Sequence, residues 1–227
     1  MNKDFISIIP ARSGSKSIKD KNIKLFKGKP LLFWSIKSSK ECKIIKKTIV
    51  STDSKKYANI AYKSGADIVI MRPKKISLDY STDLEFIKHT INSIDFNFEF
   101  IAHLRPTTPI RNMSDLNKAM SKLKKNNYTS LRTVQEVSES AYKSFEIKNN
   151  KLLTIFDKKT NIDHSNLPRQ KFPKTFVANG VLDIYRKSFI EKNNKLFGNN
   201  VFAYITKPTI EIDSLDDFRL LKKYIKW

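Results

Sequence analysis

Two hydrophobic periods take turns along the first 135 residues of this chain. Runs in which apolar residues are continuous or alternate, at Phe5–Pro10, 47–52, 67–71, 98–104 and 129–134, predict strands of a buried sheet. Between them lie stretches with apolar residues at helical spacing, at Leu31–Glu41, 54–64, 82–94 and 114–125, the first opened by Pro30. Such alternation predicts an α/β fold, a mostly parallel sheet with helices on both faces. In open sheets of this kind a ligand binds beyond the carboxyl ends of the strands. Residues 12–21, Thr52 with Asp53, and 105–111 all fall at such ends.

From residue 141 to 175 the texture changes to short β-like pieces with turns at 148–151 and 157–160, an inserted arm. Strand character resumes at 178–185, Val201–Ile205 and 209–213, and Ser214 caps a final helix predicted to reach Ile225. No internal repeat or linker divides the chain, so its 227 residues are expected to form one domain carrying that arm.

Composition excludes several classes. Hydrophobic residues make up 40% of the chain, yet no apolar run approaches the roughly 20 residues that a membrane helix needs, so no membrane partner is expected. The first strand begins without a basic and apolar leader, and the expected location is the cytoplasm. A lone cysteine, Cys42, sits in a helical pattern and reads as a buried structural thiol. Three scattered histidines, His89, His103 and His164, offer no zinc spacing.

The formal charge of +22 is that of a nucleic-acid binder, but Lys outnumbers Arg 36 to 8. Lysines such as Lys122, Lys124 and Lys125 fall on helix surfaces, where solvation suffices, and no nucleic-acid partner is expected. The scarce arginines are more telling. Arg12, Arg105, Arg111 and Arg169 lie in loops, where planar guanidinium donors suit phosphate and carboxylate.

The densest candidate chemistry is residues 8–22, IIPARSGSKSIKDKN, where a strand ends in Arg12, Ser13, Gly14, Ser15, Lys16, Lys21 and Asn22. A glycine permits close backbone approach, turned N–H groups cradle phosphate oxygens, and cations offset a triphosphate. Neither a Walker A loop nor a GxGxxG fingerprint is present. Spacing alone leaves a solvated basic loop open. Residues 209–218, TIEIDSLDDF, place Glu211 and Asp213 on one face of an alternating segment, a carboxylate pair suited to Mg²⁺ or simply a wet strand edge. Asp216 and Asp217 instead complement the amino end of the last helix. Residues 103–111, HLRPTTPIR, form a proline-stiffened strand end holding two arginines and two hydroxyls.

Residues 8–22 resemble the first signature, roughly PARxGSKxIxxKN, of the acylneuraminate cytidylyltransferase family, which makes CMP-sialic acid and related CMP-nonulosonic acids. Residues 103–111 resemble its LQPTSPLR, 168–180 its sugar-contacting stretch, and 210–218 its IDIDxxxDL. The resemblance spans nearly the whole chain and does not separate subfamilies. It implies a three-layer Rossmann-like nucleotide-diphospho-sugar transferase fold, and a loop that wraps the triphosphate of CTP. On that basis Arg12, Lys16 and Lys21 lie on the phosphates, Asn22 and Ser81 near the nucleoside, and Ser13, Gly14 and Ser15 belong to the same nucleotide-binding loop. Arg105, Lys143, Arg169, Gln170 and Asn179 contact a 2-keto sugar acid. Arg12, Lys21 and Asp213 carry catalysis, with Mg²⁺ on Asp213 and Glu211. The arm at 141–175 implies a homodimer.

Three positions depart from the family pattern: Arg105 stands for Gln, Asp183 for Tyr, and Glu211 for Asp. Other readings stay open: a CMP-Kdo-type enzyme, a nucleotidyltransferase for another sugar, and a basic nucleic-acid-binding protein.

Overall fold

A computed structural model describes residues 4–155 and 162–224. In chain order its strands are β1 (Phe5–Pro10), β2 (Leu25–Phe26), β3 (Lys29–Pro30), β4 (Ile45–Thr52), β5 (Ile68–Met71), β6 (Phe100–His103), β7 (Ser130–Glu136), β8 (Phe145–Lys148), β9 (Lys151–Thr154), β10 (Phe176–Arg186) and β11 (Val201–Ile205). The helices are α1 (Leu31–Glu41), α2 (Lys55–Lys63), α3 (Asp83–Asn92), α4 (Met113–Lys125), α5 (Lys187–Asn193) and α6 (Leu215–Tyr224). Seven strands form the central sheet in the order β11-β7-β10-β6-β1-β4-β5, with β10 antiparallel to both neighbours and every other pair parallel. The α/β expectation therefore holds.

Alternation along β1 decides what each face buries. Phe5 and Ile9 join a core with Leu32, Ile36, Tyr57 and Met120 from α1, α2 and α4. Ile6 and Ile8 join the opposite core with Phe86, Ile87 and Ile91 of α3 and Ile190 of α5. Cys42 lies in the first core at 1% exposure, and burial pushes its thiol pKa up, as the structural reading requires. No helix among the described residues is long and apolar enough to cross a membrane.

Local signals set several ends. Glu85 accepts hydrogen bonds from the Thr82 N–H and hydroxyl at the start of α3. Ser214 and Asp217 exchange bonds at the start of α6, Asp217 accepting from Ser214 N and Ser214 Oγ from Asp217 N. The Ser214 hydroxyl, followed by the N–H groups of Ser214 and Asp213, donates to the Asp217 carboxylate and holds its pKa below the usual range.

Two expectations are corrected. Residues 209–213 are extended but join no sheet, because their amides bond elsewhere: Thr209 N to Gln135 Oε1 and Ile212 N to Thr107 O. The helix α5 occupies a stretch whose pattern had predicted none. Within 141–175 the turn at 148–151 is the β8–β9 hairpin, with Asn149 and Asn150 at positive φ. The predicted turn at 157–160 falls outside the described residues, as does Ile225.

Candidate functional site

The loop after β1 is tied down at both ends. Thr52 Oγ1 donates to Ala11 O at 2.6 Å, and Asp53 accepts from Ser13 N and Oγ at 2.8 and 2.9 Å. The N–H and hydroxyl of Ser13 thus donate to Asp53, and this pair anchors the loop. Asn22 Nδ2 closes the turn by donating to Arg12 O at 2.9 Å. Ile18, from the middle of the loop, packs with Phe26, Leu31, Ile212, Phe218 and Leu221 in a third small core. That core joins the loop to residues 209–213. Lys21 Nζ completes the link, reaching Ile212 O at 3.0 Å and Asp213 Oδ1 at 3.4 Å.

Between the loop, the start of α3 and the end of β6 opens a cavity of about 530 Å³. Arg12, Lys16, Lys21, Arg72 and Arg105 face it against two carboxylates, Asp79 and Asp83, and Ser15, Asn22 and Ser81 also line it. Asp79 bridges the loop cations, taking Arg12 Nη1 at 2.9 Å and pairing with Lys16 Nζ. Hydrogen bonds from Lys16 and Arg12 hold its carboxyl below the usual range. Arg72 is buried over the Phe86 ring and donates to Ser51 O and Oγ. Burial pulls its pKa down to about 10, which leaves it charged at neutral pH.

Arg111 does not line this cavity. Its guanidinium donates to Val181 O, Ser35 Oγ and Arg105 O at 2.7, 3.0 and 2.7 Å, so it is an internal strut for the loop from 105 to 111. Burial, followed by repulsion from Arg105, pulls its pKa down to about 9. Asn179 is also consumed internally, donating to Thr206 Oγ1 at 2.7 Å and accepting from Val181 N. Next to it Gly180 has φ +66°, and a Cβ there would lie 2.7 Å from Thr108 Oγ1 and 3.0 Å from Glu211 Oε1. Gly14 shows no such constraint, since a methyl there would meet nothing within 4 Å.

Glu211 accepts from Thr107 Oγ1 at 3.2 Å, while Asp213 is exposed beside Lys21. Alternation does turn the pair away from Ile210 and Ile212, which pack into the third core. No group of three or more His, Cys, Asp or Glu side chains placed to hold a metal ion occurs among the described residues. Two carboxylates fit Mg²⁺, which takes its remaining ligands from phosphate and water.

Lys143, Arg169 and Gln170 are not brought to this cavity. Arg169 and Gln170 line another of about 480 Å³ at the base of the arm, where Arg169 pairs with Glu136 at 3.2 Å. Lys143 lies over the Phe172 ring. Sequence reasoning assigned no role to Arg72, Asp79 or Asp83. Arg72 directly follows β5, so the strand-end rule could have found it; the two carboxylates carried no such signal.

A sequence profile described as cytidylyltransferase matches residues 6–225. The chain belongs to the cytidylyltransferase family. It is 31% identical over 223 residues to an N-acylneuraminate cytidylyltransferase of Escherichia coli, covering 97% of this chain and 52% of that protein. It is 27% identical to a pseudaminic acid cytidylyltransferase of Campylobacter jejuni, covering 96% and 94%. The chain thus spans about half the length of the first relative and nearly all of the second. A CMP:2-keto-3-deoxy-manno-octonic acid synthetase solved with CTP shares the fold, with TM-score 0.75 and 13% identity over 97% of this chain and 98% of that one.

In this chain two of the departures from the family pattern are partners. Arg105 Nη1 donates to Asp183 Oδ2 at 2.7 Å, and Arg105 Nη2 to Asp83 Oδ2 at 2.7 Å. Burial opposes the charge on Arg105, but the two carboxylates outweigh it and hold the pKa above its ordinary value.

Proposed function

We propose that this chain couples CTP to a sialic acid-like 2-keto sugar acid, giving a CMP-sugar and pyrophosphate. The observation that carries the reading is the cationic cavity at the carboxyl ends of β1, β5 and β6, in a chain whose relatives are named for N-acylneuraminate and pseudaminic acid. The anomeric hydroxyl of the sugar attacks the α-phosphorus in line, its oxygen–phosphorus bond forming as the bond to pyrophosphate breaks and its proton passes to solvent. Arg12, Lys16 and Lys21 orient the triphosphate and offset the charge that grows on the leaving pyrophosphate. Asp213 and Glu211 would hold Mg²⁺, which supplies further charge neutralisation when bound. His103 takes no proton from substrate: it is fully buried, and desolvation followed by the neighbouring arginines keeps it neutral.

We infer a homodimer from the arm. Ile147, Leu152, Ile155, Leu167, Phe176 and Val177 are each at least 39% exposed, an apolar surface concentrated in and beside the arm. A partner packed there would cover it and face the Arg169 and Gln170 cavity toward a second active site.

The test is pyrophosphate release from CTP, ATP, GTP and UTP, with Mg²⁺ and a panel of 2-keto sugar acids that includes N-acetylneuraminate and pseudaminic acid. Release from CTP far above the other nucleotides, and only with a sugar acid present, is expected. Equal turnover of all four would overturn the assignment.

A further inference from the structure

Four alternating charges run inward from the cavity wall, which Asp83 and Arg105 line, to Asp183 and Arg132. Arg132 Nε lies 3.4 Å from Asp183 Oδ1, Asp183 Oδ2 takes Arg105, and Arg105 in turn holds Asp83. The side chain of Asp183 is 2% exposed and that of Arg105 is 18%, whereas Asp83 keeps 41% of its side chain open on the cavity. Both terminal nitrogens of Arg105 are therefore committed to carboxylates. A substrate carboxylate clasped by the same guanidinium would be a third negative charge on one positive one, in a partly desolvated corner where like-charge repulsion is strong. Asp83 Oδ2 is fixed by Arg105, and no partner for Asp83 Oδ1 occurs among the described residues.

We propose that Asp83 touches the substrate as a hydrogen-bond acceptor for a hydroxyl or amide N–H, and that Arg105 is a positioning residue acting through it rather than a reader of the sugar acid's carboxylate. This rests on the functional reading above and deepens it. Of the two aspartates Asp83 is the one that lines the cavity, and a carboxylate oxygen there accepts from a donor group and repels an anion. The anionic parts of the substrates are left to Arg12, Lys16 and Lys21. Arg105 and Asp183 occur together for a physical reason: removing either leaves the other largely buried with one oppositely charged partner fewer.

A double-mutant cycle tests this, using CTP and whichever sugar acid the wild-type enzyme turns over. Asp83→Asn keeps the shape of the side chain while removing its charge. It should lower kcat/KM by roughly 10- to 100-fold, the usual loss for a hydrogen bond to a charged group, mostly through KM. Arg105→Gln should lower it by a similar or smaller factor in wild type, but by less than about threefold in the Asp83→Asn background, because its role passes through Asp83. Arg105→Gln combined with Asp183→Asn removes both buried charges, and circular dichroism with thermal melting confirms that it is folded. It should behave as Arg105→Gln does. Independent losses at the two positions, or a sugar acid KM that rises about tenfold on removing Arg105 even without Asp83, would overturn the inference. Absence of pyrophosphate release by wild-type enzyme with every sugar acid would instead overturn the functional reading itself.

Discussion

Gly180→Ala strikes the point where β10, the loop from 105 to 111 and the Glu211 carboxylate meet. Three terms set its cost. Holding an L-residue near φ +66° costs about 1–2 kcal/mol relative to glycine. The new methyl would sit 2.7 Å from Thr108 Oγ1 and 3.0 Å from Glu211 Oε1, and moving packed neighbours adds about 1–3 kcal/mol. Restricting the unfolded chain returns about 0.4–1 kcal/mol. The net loss should be about 2–4 kcal/mol in urea unfolding at unchanged slope, read as a fall in midpoint. Because Glu211 must move, the Mg²⁺ concentration for half-maximal turnover should also rise. Adding Thr108→Ala deletes the nearest atom and should recover part of the stability but not the backbone term. A loss below about 0.5 kcal/mol, or no recovery in the double variant, would refute the close approach.

Asp79→Asn removes the internal anion from Arg12 and Lys16, so calorimetry should show CDP binding several-fold tighter, with a steeper salt dependence; weaker binding would mean that Asp79 organises the cations instead. Asp213→Asn should leave the fold intact and lower Mg²⁺-dependent turnover on the order of 10²-fold, and near-normal kcat would move the metal to the phosphates alone. His103 is held neutral in the fold, so below its unfolded pKa of about 6.5 the unfolded chain binds a proton that the native state does not, and stability falls as pH drops. Between pH 8 and pH 5.5 stability should therefore fall more in the wild-type chain than in His103→Gln, read as thermal midpoints; parallel pH profiles for the two proteins would contradict it.

Much of the fold was legible because its signals are local. The alternation in Phe5–Pro10 assigns each residue to a core, and Thr82 with Glu85, and Ser214 with Asp217, cap helices within three residues. The cationic loop after β1 was legible too, since Arg12, Lys16 and Lys21 lie within ten residues of one another and line one cavity. What escaped depends on partners far apart in sequence: Ser13 on Asp53, Arg111 on the carbonyls of Val181 and Arg105, and Arg105 between residues 22 and 78 positions away. A loop arginine looks the same from sequence whether it is free for substrate or saturated by carboxylates. Residues 209–213 misled for a related reason, because alternation records which side chains are buried but not which amides complete the backbone.

Identifying the product of a single turnover, with enzyme in excess over CTP, Mg²⁺ and a saturating 2-keto sugar acid, decides whether this chain makes a CMP-sugar. Mass spectrometry and ³¹P resonance should show one CMP-sugar phosphodiester and one pyrophosphate for each CTP consumed, and neither when Lys21 is replaced by Ala. CDP with inorganic phosphate as the products, or CTP left intact with every sugar acid, would contradict that chemistry.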